Sequence, residues 1–406
     1  MHILFIHQNF PAQFGHVAAF LKQLKGFRCT FLSEQPPQPF GGIECVQYKL
    51  KGGATEASHF CSRSFENAIW HSHAAYEALK DRPDIKPDLV VAHSGFLSTV
   101  FLRELYDCPI VNYFEYYYRT KGADMDFRPD FPYPTANAIR AHARNAHVLL
   151  DLENCDAGYS PTRWQRSLFP AIFQPKIRTI FDGIDTNIWR PLTGVQRRLG
   201  DRVIPDSTRI VTYVSRGMES IRGFDIFMKT AKAIYQQRPD VLFLVVGDDR
   251  VCYGGDLDFT GGKSFKQWVL ERNDYDLSRF VFTGPVPIGT LVQIFALSDL
   301  HIYLTVPFVL SWSLLNALAC GVTVLASNTP PVREVIEPDR SGLTGDFFDI
   351  DGLAQQALRV LASPQDFKHL GRAGIELIQT RYSLNVCLPR MLALYEDAVF
   401  NRRGPR

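Results

Sequence analysis

Residues 215–223 read Ser-Arg-Gly-Met-Glu-Ser-Ile-Arg-Gly, and their types and spacing suit the gripping of an anion. Arg216 and Arg222 bring two guanidinium groups. Gly217 and Gly223 remove the side chains that would keep a phosphate away from the backbone. The plainer alternative is a solvated arginine pair on a loop. A second segment, 298–334, offers the same chemistry by another route. Its apolar, β-rich start at 299–306 is broken by Pro307, and a helix is expected at 312–320 with Leu314, Leu315 and Leu318 on one face. Gly321 stands where a left-handed C-cap is needed, and 322–326 reads as a buried strand. A helix starting at the C-terminal end of a parallel strand aims unpaired N–H groups and a positive dipole end into the crevice, which suits a diphosphate.

The first half carries chemistry of a different kind. His7 follows a strand at 3–6, and Gly15 lies in Gln-Phe-Gly-His, which opens the next helix. His93 ends a strand at 89–92, where a crevice would lie; a structural histidine is the equal alternative. Residues 113–119, Tyr-Phe-Glu-Tyr-Tyr-Tyr-Arg, form an aromatic strand with one acid, Glu115, and one cation, Arg119. Aromatic faces with a few fixed polar groups suit a carbohydrate or lipid-linked acceptor; a buried strand with Glu115 paired to a cation is the other reading. Asp124-Met125-Asp126 is formally a metal–diphosphate triplet, but three residues recur by chance and we set it aside. The eight cysteines show no CxxC spacing and the eleven histidines no HExxH cluster, so no metal site is expected and the thiols read as reduced and structural.

These groups need elements to hold them. Strands at 3–6, 29–32, 45–49, 89–92 and 110–116 alternate with helices at 14–24, 56–80 and 98–105, the rhythm of a doubly wound parallel sheet. The stretch 181–204 is turn-rich and charged, as a linker is. A second α/β run follows, with strands at 210–214, 241–246 and 280–283 and helices at 224–237 and 288–297, and the chain closes on a helix at 386–399 and a basic tail holding Arg402, Arg403 and Arg406. The 406 residues suit two domains of roughly 200 each. The composition, 46% hydrophobic and 21% charged, is that of a soluble globular protein, and a net charge of +2 argues against a partner in nucleic acid. No apolar run reaches the length of a spanning helix, and the first residues lack the basic start of a signal peptide.

The run 298–334, down to Ala317-Leu318-Ala319-Cys320-Gly321, resembles the nucleotide-sugar-binding segment of the retaining family 4 glycosyltransferases of GT-B fold, the glycosyl transferases group 1. Residues 215–223 are similar to the family's GRxxxxKG element, whose Arg and Lys hold the donor diphosphate; Arg216 and Arg222 stand at those positions. Val245-Val246-Gly247-Asp248, Phe282-Thr283-Gly284-Pro285-Val286-Pro287 and Phe181-Asp182-Gly183-Ile184-Asp185 resemble its VxGxG, FxGxVP and NGVD-type stretches. Two departures stand out. Relatives usually carry a Glu ahead of the helix, against the transferred sugar, and a second eight residues later, on the ribose. This chain has Phe308 and Asn316, and its Pro307–Ser313 run resembles a branch with PFVLSWS in place of the acidic EGFG-type element.

The resemblance implies a GT-B fold of two Rossmann-like domains facing each other across a cleft. The expected bounds are an acceptor domain at 1–190, a linker at 191–207, a nucleotide-sugar donor domain at 208–381, and a helix and tail at 382–406 crossing back to the first domain. It implies a metal-independent, cofactor-free transfer of a sugar from a nucleoside diphosphate donor to an acceptor hydroxyl, with retention. His93, Arg216 and Arg222 would be catalytic. Gly15, Gly223, Val286, Ser311, Leu314, Asn316 and Glu334 would bind the donor; for Glu334, a first-turn acid on its own helix is the alternative. His7, Glu115 and Arg119 would face the acceptor, which is a glycan, a lipid-linked sugar or a small molecule. The expected location is cytoplasmic, or peripheral at the inner membrane face through the aromatic helix near Phe60–Tyr76 and the basic tail. The competing reading is a degenerate, non-catalytic partner that binds nucleotide or glycan, motivated by Phe308 and Asn316. A relative acting on another sugar phosphate, such as a phosphorylase or epimerase, is a further enzyme reading.

Overall fold

A computed structural model describes residues 1–200 and 202–403. Arg406 of the expected tail lies outside the described residues, as do the side chains of Arg402 and Arg403. The chain divides into two compact units. One comprises Met1–Thr120, Pro134–Gly183 and Leu384–Arg406; the other comprises Lys121–Tyr133 and Ile184–Ser383. The first expected domain ended at 190, whereas the compact division falls after Gly183, and a strap of thirteen residues from inside the first half, Lys121–Tyr133, packs with the second.

The first unit is built on a seven-stranded sheet of order β3-β2-β1-β4-β5-β6-β7. Its strands are β1 (His2–Ile6), β2 (Arg28–Ser33), β3 (Glu44–Gln47), β4 (Leu89–Ser94), β5 (Ile110–Phe114), β6 (Ala157–Ser160) and β7 (Ile177–Thr179), all parallel. The central strands are nearly continuous apolar runs because helices cover both faces. One face is covered by helix Gly15–Gln23 and by the chain's last helix, Leu384–Arg403, which contributes Leu388, Met391, Leu394 and Tyr395 to the core.

Two expected helices come out differently. Residues 98–105 form only a short 3₁₀ turn, Leu102–Glu104. The cause is local: the hydroxyls of Ser98 and Thr99 and the Thr99 N–H all donate to the buried carboxylate of Asp151, which draws this segment into a loop. The helix expected from 56 begins at Arg63, since Ser58 and its neighbours form a turn in which Ser58 Oγ donates to Glu66. Phe60 therefore precedes that helix.

In the second unit a short hairpin, β8 (Arg198–Leu199) with β9 (Arg202–Val203), precedes a six-stranded parallel sheet of order β12-β11-β10-β13-β14-β15. Its strands are β10 (Arg209–Gly217), β11 (Val241–Asp248), β12 (Phe280–Gly284), β13 (Leu300–Tyr303), β14 (Val324–Ser327) and β15 (Leu343–Gly345). Both sheets reverse direction of growth once, between β1 and β4 in the first and between β10 and β13 in the second. The carboxyl ends of strands at such a reversal are where open α/β sheets bind ligands. No helix among the described residues is long and apolar enough to cross a membrane.

Candidate functional site

At the reversal of the second sheet, β10 delivers Arg216 and runs into the 3₁₀ turn Ser220–Arg222 and helix Phe224–Gln237. Gly223 joins turn to helix at φ +63°, and a Cβ there would stand 2.8 Å from Leu304 Cβ and 2.9 Å from the Phe347 ring. Its N–H is used internally, donating to Ser220 O at 2.9 Å. Glycine is thus required by conformation and by close packing at once.

Arg222 is not a solvated loop arginine; it is 5% exposed. Its Nη1 donates to Thr305 Oγ1 at 2.9 Å and to Val309 O at 3.0 Å. Those bonds fix the guanidinium plane and leave Nε and Nη2 without a protein acceptor among the described residues. Phe308 lies 5.4 Å and Tyr253 5.5 Å from its guanidinium carbon, measured to the ring centroids. Phe308 thus offers its ring face to the buried guanidinium. Arg216 is exposed and donates from Nη1 to the Tyr253 hydroxyl at 3.3 Å.

Facing this turn across the same crevice, β13 leads into the loop 304–311 and helix Trp312–Ala319. Ser311 is the N-cap: its Oγ accepts from Ser313 N at 3.3 Å, and its own N–H donates to the Tyr303 hydroxyl at 3.0 Å. Tyr213, Ser215, Arg222, Tyr303, Ser311 and Ser313 line a small crevice here. Leu314 is fully buried and its N–H reaches Ser311 O at 3.3 Å; Asn316 is buried on the same helix. The other expected donor residues lie on neighbouring elements. Val286 follows β12, the edge strand, two strands from β10. Glu334 ends the four-residue helix Pro330–Arg333, so it is a C-terminal and not a first-turn residue, because that helix stops one turn after it starts.

At the reversal of the first sheet, β1 delivers His7 and β4 delivers His93. The rings lie 5.0 Å apart at 88°, and Phe96 is 4.7 Å from each. His93 Nδ1 donates to Ser94 O at 2.9 Å, while its Nε2 lies 3.7 Å from Glu115 Oε2. His7 Nδ1 accepts from Asn9 N at 2.8 Å. Burial holds the His93 pKa well below the usual imidazole value and lowers that of His7 to about 4, so both rings are neutral near pH 7. Gln13 Nε2 donates to Glu115 Oε1 at 3.4 Å. Gly15 opens helix Gly15–Gln23, where a Cβ would crowd Pro11 at 3.1 Å. Arg119 is engaged elsewhere, donating from Nε to Leu168 O at 2.7 Å. Asp151 ties the loop after β4 in place, accepting from Ser94, Ser98 and Thr99; burial pushes its pKa up to about 6.

Sequence reasoning passed over Glu219, Tyr253, Asp256 and Arg128. Glu219 stood in view inside the 215–223 motif, but its partners are some 33 residues away. Among the described residues no group of three His, Cys, Asp or Glu side chains is placed to hold a metal ion.

Two parallel, doubly wound α/β units, each with its polar groups at the sheet reversal, define the GT-B class. The chain belongs to the glycosyltransferases of that fold: residues 25–189 match the family described as glycosyl transferase family 4 group, and residues 198–377 match glycosyl transferases group 1. Among characterised relatives it is 23% identical over 225 residues to N-acetyl-alpha-D-glucosaminyl L-malate synthase of Bacillus anthracis, covering 55% of this chain and 54% of that one. It is 25% identical over 226 residues to a GDP-mannose-dependent alpha-(1-6)-phosphatidylinositol monomannoside mannosyltransferase of Mycolicibacterium smegmatis, covering 52% of this chain and 55% of that one. The matched region thus spans about half the length of these relatives. Among solved structures, sucrose-phosphate synthase from Thermosynechococcus elongatus superposes with a TM-score of 0.72 at 17% identity, over 99% of this chain and 100% of that one. HepE from Anabaena, solved with UDP and glucose, gives 0.68 at 15%, over 98% and 100%.

Proposed function

We propose that the protein transfers a sugar from a nucleoside diphosphate sugar to an acceptor hydroxyl, with retention of anomeric configuration. The observation that carries this reading is Arg222, buried and fixed through Nη1 with the rest of its fork unclaimed, beside the N-terminus of helix Trp312–Ala319.

The physical task is to stabilise charge on the departing diphosphate. Arg222 supplies a preoriented bidentate edge, Arg216 a second cation, and the helix N-terminus the positive end of its dipole. None of these has to reorganise when the bond to the sugar breaks, and no metal is needed. Val286 would meet the base through its backbone and Asn316 the ribose hydroxyls. His93 would touch the transferred sugar, with His7 and Glu115 towards the acceptor. A phosphate oxygen of the donor takes the acceptor proton on the face of departure, which asks for no carboxylate nucleophile and so tolerates Phe308. HepE, a fold neighbour, is solved with UDP-glucose, which makes UDP the first nucleotide to try. The acceptor is a glycan, a lipid-linked sugar or a small molecule, and a peripheral contact at the inner membrane face fits the lipid-linked case.

Calorimetric titration of the purified protein with UDP, GDP, ADP, dTDP and CDP, without metal and then with magnesium, tests this. One nucleotide binding at micromolar strength without metal is the expected result. Failure to bind any of them overturns the reading and leaves the non-catalytic partner.

A further inference from the structure

The loop after β11 has no part in the motifs that define the donor site, yet the protein holds it with unusual care. Glu219 is 0% exposed, and its Oε1 alone accepts three backbone N–H groups, from Cys252 at 2.8 Å, Tyr253 at 2.7 Å and Gly254 at 2.9 Å. Burying a carboxylate costs several kcal/mol, which three charge-assisted bonds offset. What those bonds determine is the backbone on either side of Tyr253. Two further observations point the same way. Gly217 is the only residue type that lets the loop close: a Cβ there would stand 2.4 Å from Arg250 O and 2.8 Å from Cys252 Sγ. Asp256 reaches back to Ser220, accepting from its N–H at 2.8 Å and from its hydroxyl. Residues 219–220 and 252–256 are laced together in both directions.

The lacing delivers one side chain to both arginines. The Tyr253 ring centroid lies 6.0 Å from Arg216 Cζ, 5.5 Å from Arg222 Cζ and 5.7 Å from the Phe308 ring. Tyr253 is 44% exposed, and its hydroxyl oxygen accepts from Arg216. The hydroxyl proton has no acceptor among the described residues. A phenol that accepts from one guanidinium and still has a proton to give is a hydrogen-bond donor to an anion held by that guanidinium.

We propose that Tyr253 is a third ligand of the donor diphosphate beside Arg216 and Arg222, and that Glu219 is the positioning residue that sets it there. This rests on the transferase reading above. The hydroxyl gives its hydrogen bond to a phosphate oxygen while Arg216 keeps its own bond to the phenol oxygen. The aromatic ring lies next to that of Phe308, and the two together screen the same flank of the Arg222 guanidinium from water.

The test compares wild type, Tyr253→Phe and Glu219→Gln by calorimetry, using the diphosphate from the panel that wild type binds, the matching nucleoside monophosphate, and inorganic pyrophosphate. Tyr253→Phe keeps the ring and its packing and removes only the hydroxyl, both its proton and the oxygen that accepts from Arg216. Its affinity for the diphosphate and for pyrophosphate should fall about tenfold, with the monophosphate changed less than about twofold. Glu219→Gln should lose affinity in the same selective pattern, and mass spectrometry should find Cys252 alkylated faster by iodoacetamide than in wild type. Unchanged diphosphate affinity in Tyr253→Phe overturns the proposal while leaving the transferase reading intact. So does an equal loss for all three ligands, which would mean a disturbed pocket. If wild type binds neither a diphosphate nor pyrophosphate, the reading and the proposal fall together.

Discussion

Arg128 and Asp225, 97 positions apart in the chain, meet as a buried bidentate pair, with Nη1–Oδ1 at 2.8 Å and Nη2–Oδ2 at 2.7 Å. Their side chains are 3% and 5% exposed. The same Nη1 donates to Ser220 O at 2.8 Å, so the strap Lys121–Tyr133 reaches the turn that carries Arg222. Aromatic contacts seat the strap: Phe127 lies against Phe347 and Phe348, and Phe131 against Phe259, Phe265 and Trp268. The guanidinium itself stacks on Phe131 at 4.6 Å and Phe347 at 5.2 Å. The turn that carries Arg222 is thus braced by a segment that arrives from the other half of the sequence.

Arg128→Met should destabilise the second unit by about 3–5 kcal/mol, because it leaves the Asp225 carboxylate buried and unpaired. Denaturant unfolding of the full chain measures this. Adding Asp225→Leu should recover a large part of the loss, since an apolar pair has no uncompensated charge. A single variant as stable as wild type would mean the pair contributes nothing.

Arg222→Ala should weaken nucleoside diphosphate binding by at least about tenfold, or about 1.4 kcal/mol. Arg222→Lys should recover only part, because one ammonium cannot both hold Thr305 and Val309 and offer a forked edge to phosphate. Titration calorimetry decides it, and an alanine variant within error of wild type would remove Arg222 from the site.

Asn316→Glu should tighten nucleotide binding by about tenfold if the ribose diol lies at helix Trp312–Ala319, since a carboxylate accepts from a diol with charge assistance and an amide does not. The matching 2′-deoxynucleotide should gain much less. Equal affinity of variant and wild type across the nucleotide panel would put the ribose elsewhere.

Stability should fall as pH drops from about 6.5 to 4. Burial lowers the pKa of His7 and of His147 to about 4 and that of His301 to about 3. The unfolded chain takes up these protons before the folded one does, so their contribution is complete above the unfolded value and is lost on acidification. For His7 the difference corresponds to about 3 kcal/mol. Asp151 and Asp256, both pushed up to about 6 by burial, act in the opposite sense: the folded form gains from protonating them between pH 6 and 4. The histidines outweigh the aspartates. Urea unfolding at pH 7 and pH 4.5 should show a net loss, and His301→Asn should flatten the slope. Asp151→Asn should steepen it by removing an opposing group. A profile flat from pH 7 to 4.5 would contradict this balance.

Much of the candidate site was legible because its parts are contiguous. Arg216, Arg222 and two glycines sit within nine residues, and Ser311, Leu314 and Asn316 within six, so one motif displays both chemistry and spacing. The strands announced themselves as apolar runs, and the helix at 312 by its leucine face and Gly321. Residues 98–105 were misjudged because the hydroxyls of Ser98 and Thr99 find a carboxylate, Asp151, that lies 52 residues downstream of Thr99. Phe308 was legible only as a carboxylate lost; that it stacks on Arg222 is a fact of packing.

The sequence by itself determined the class of this protein: two α/β units, a turn bearing two arginines and two glycines, and the order of motifs that marks a GT-B glycosyltransferase. Such features are written in local periodicity and in side chains a few positions apart, where the chain's geometry leaves little choice. Only the tertiary structure decided how the turn is held. Glu219 finds the amides of residues 252–254, Arg128 finds Asp225, and Asp256 finds Ser220 across separations of about 33 to 97 residues. Each is a buried charge whose desolvation must be matched by partners, and nothing local says which distant donors will arrive to match it.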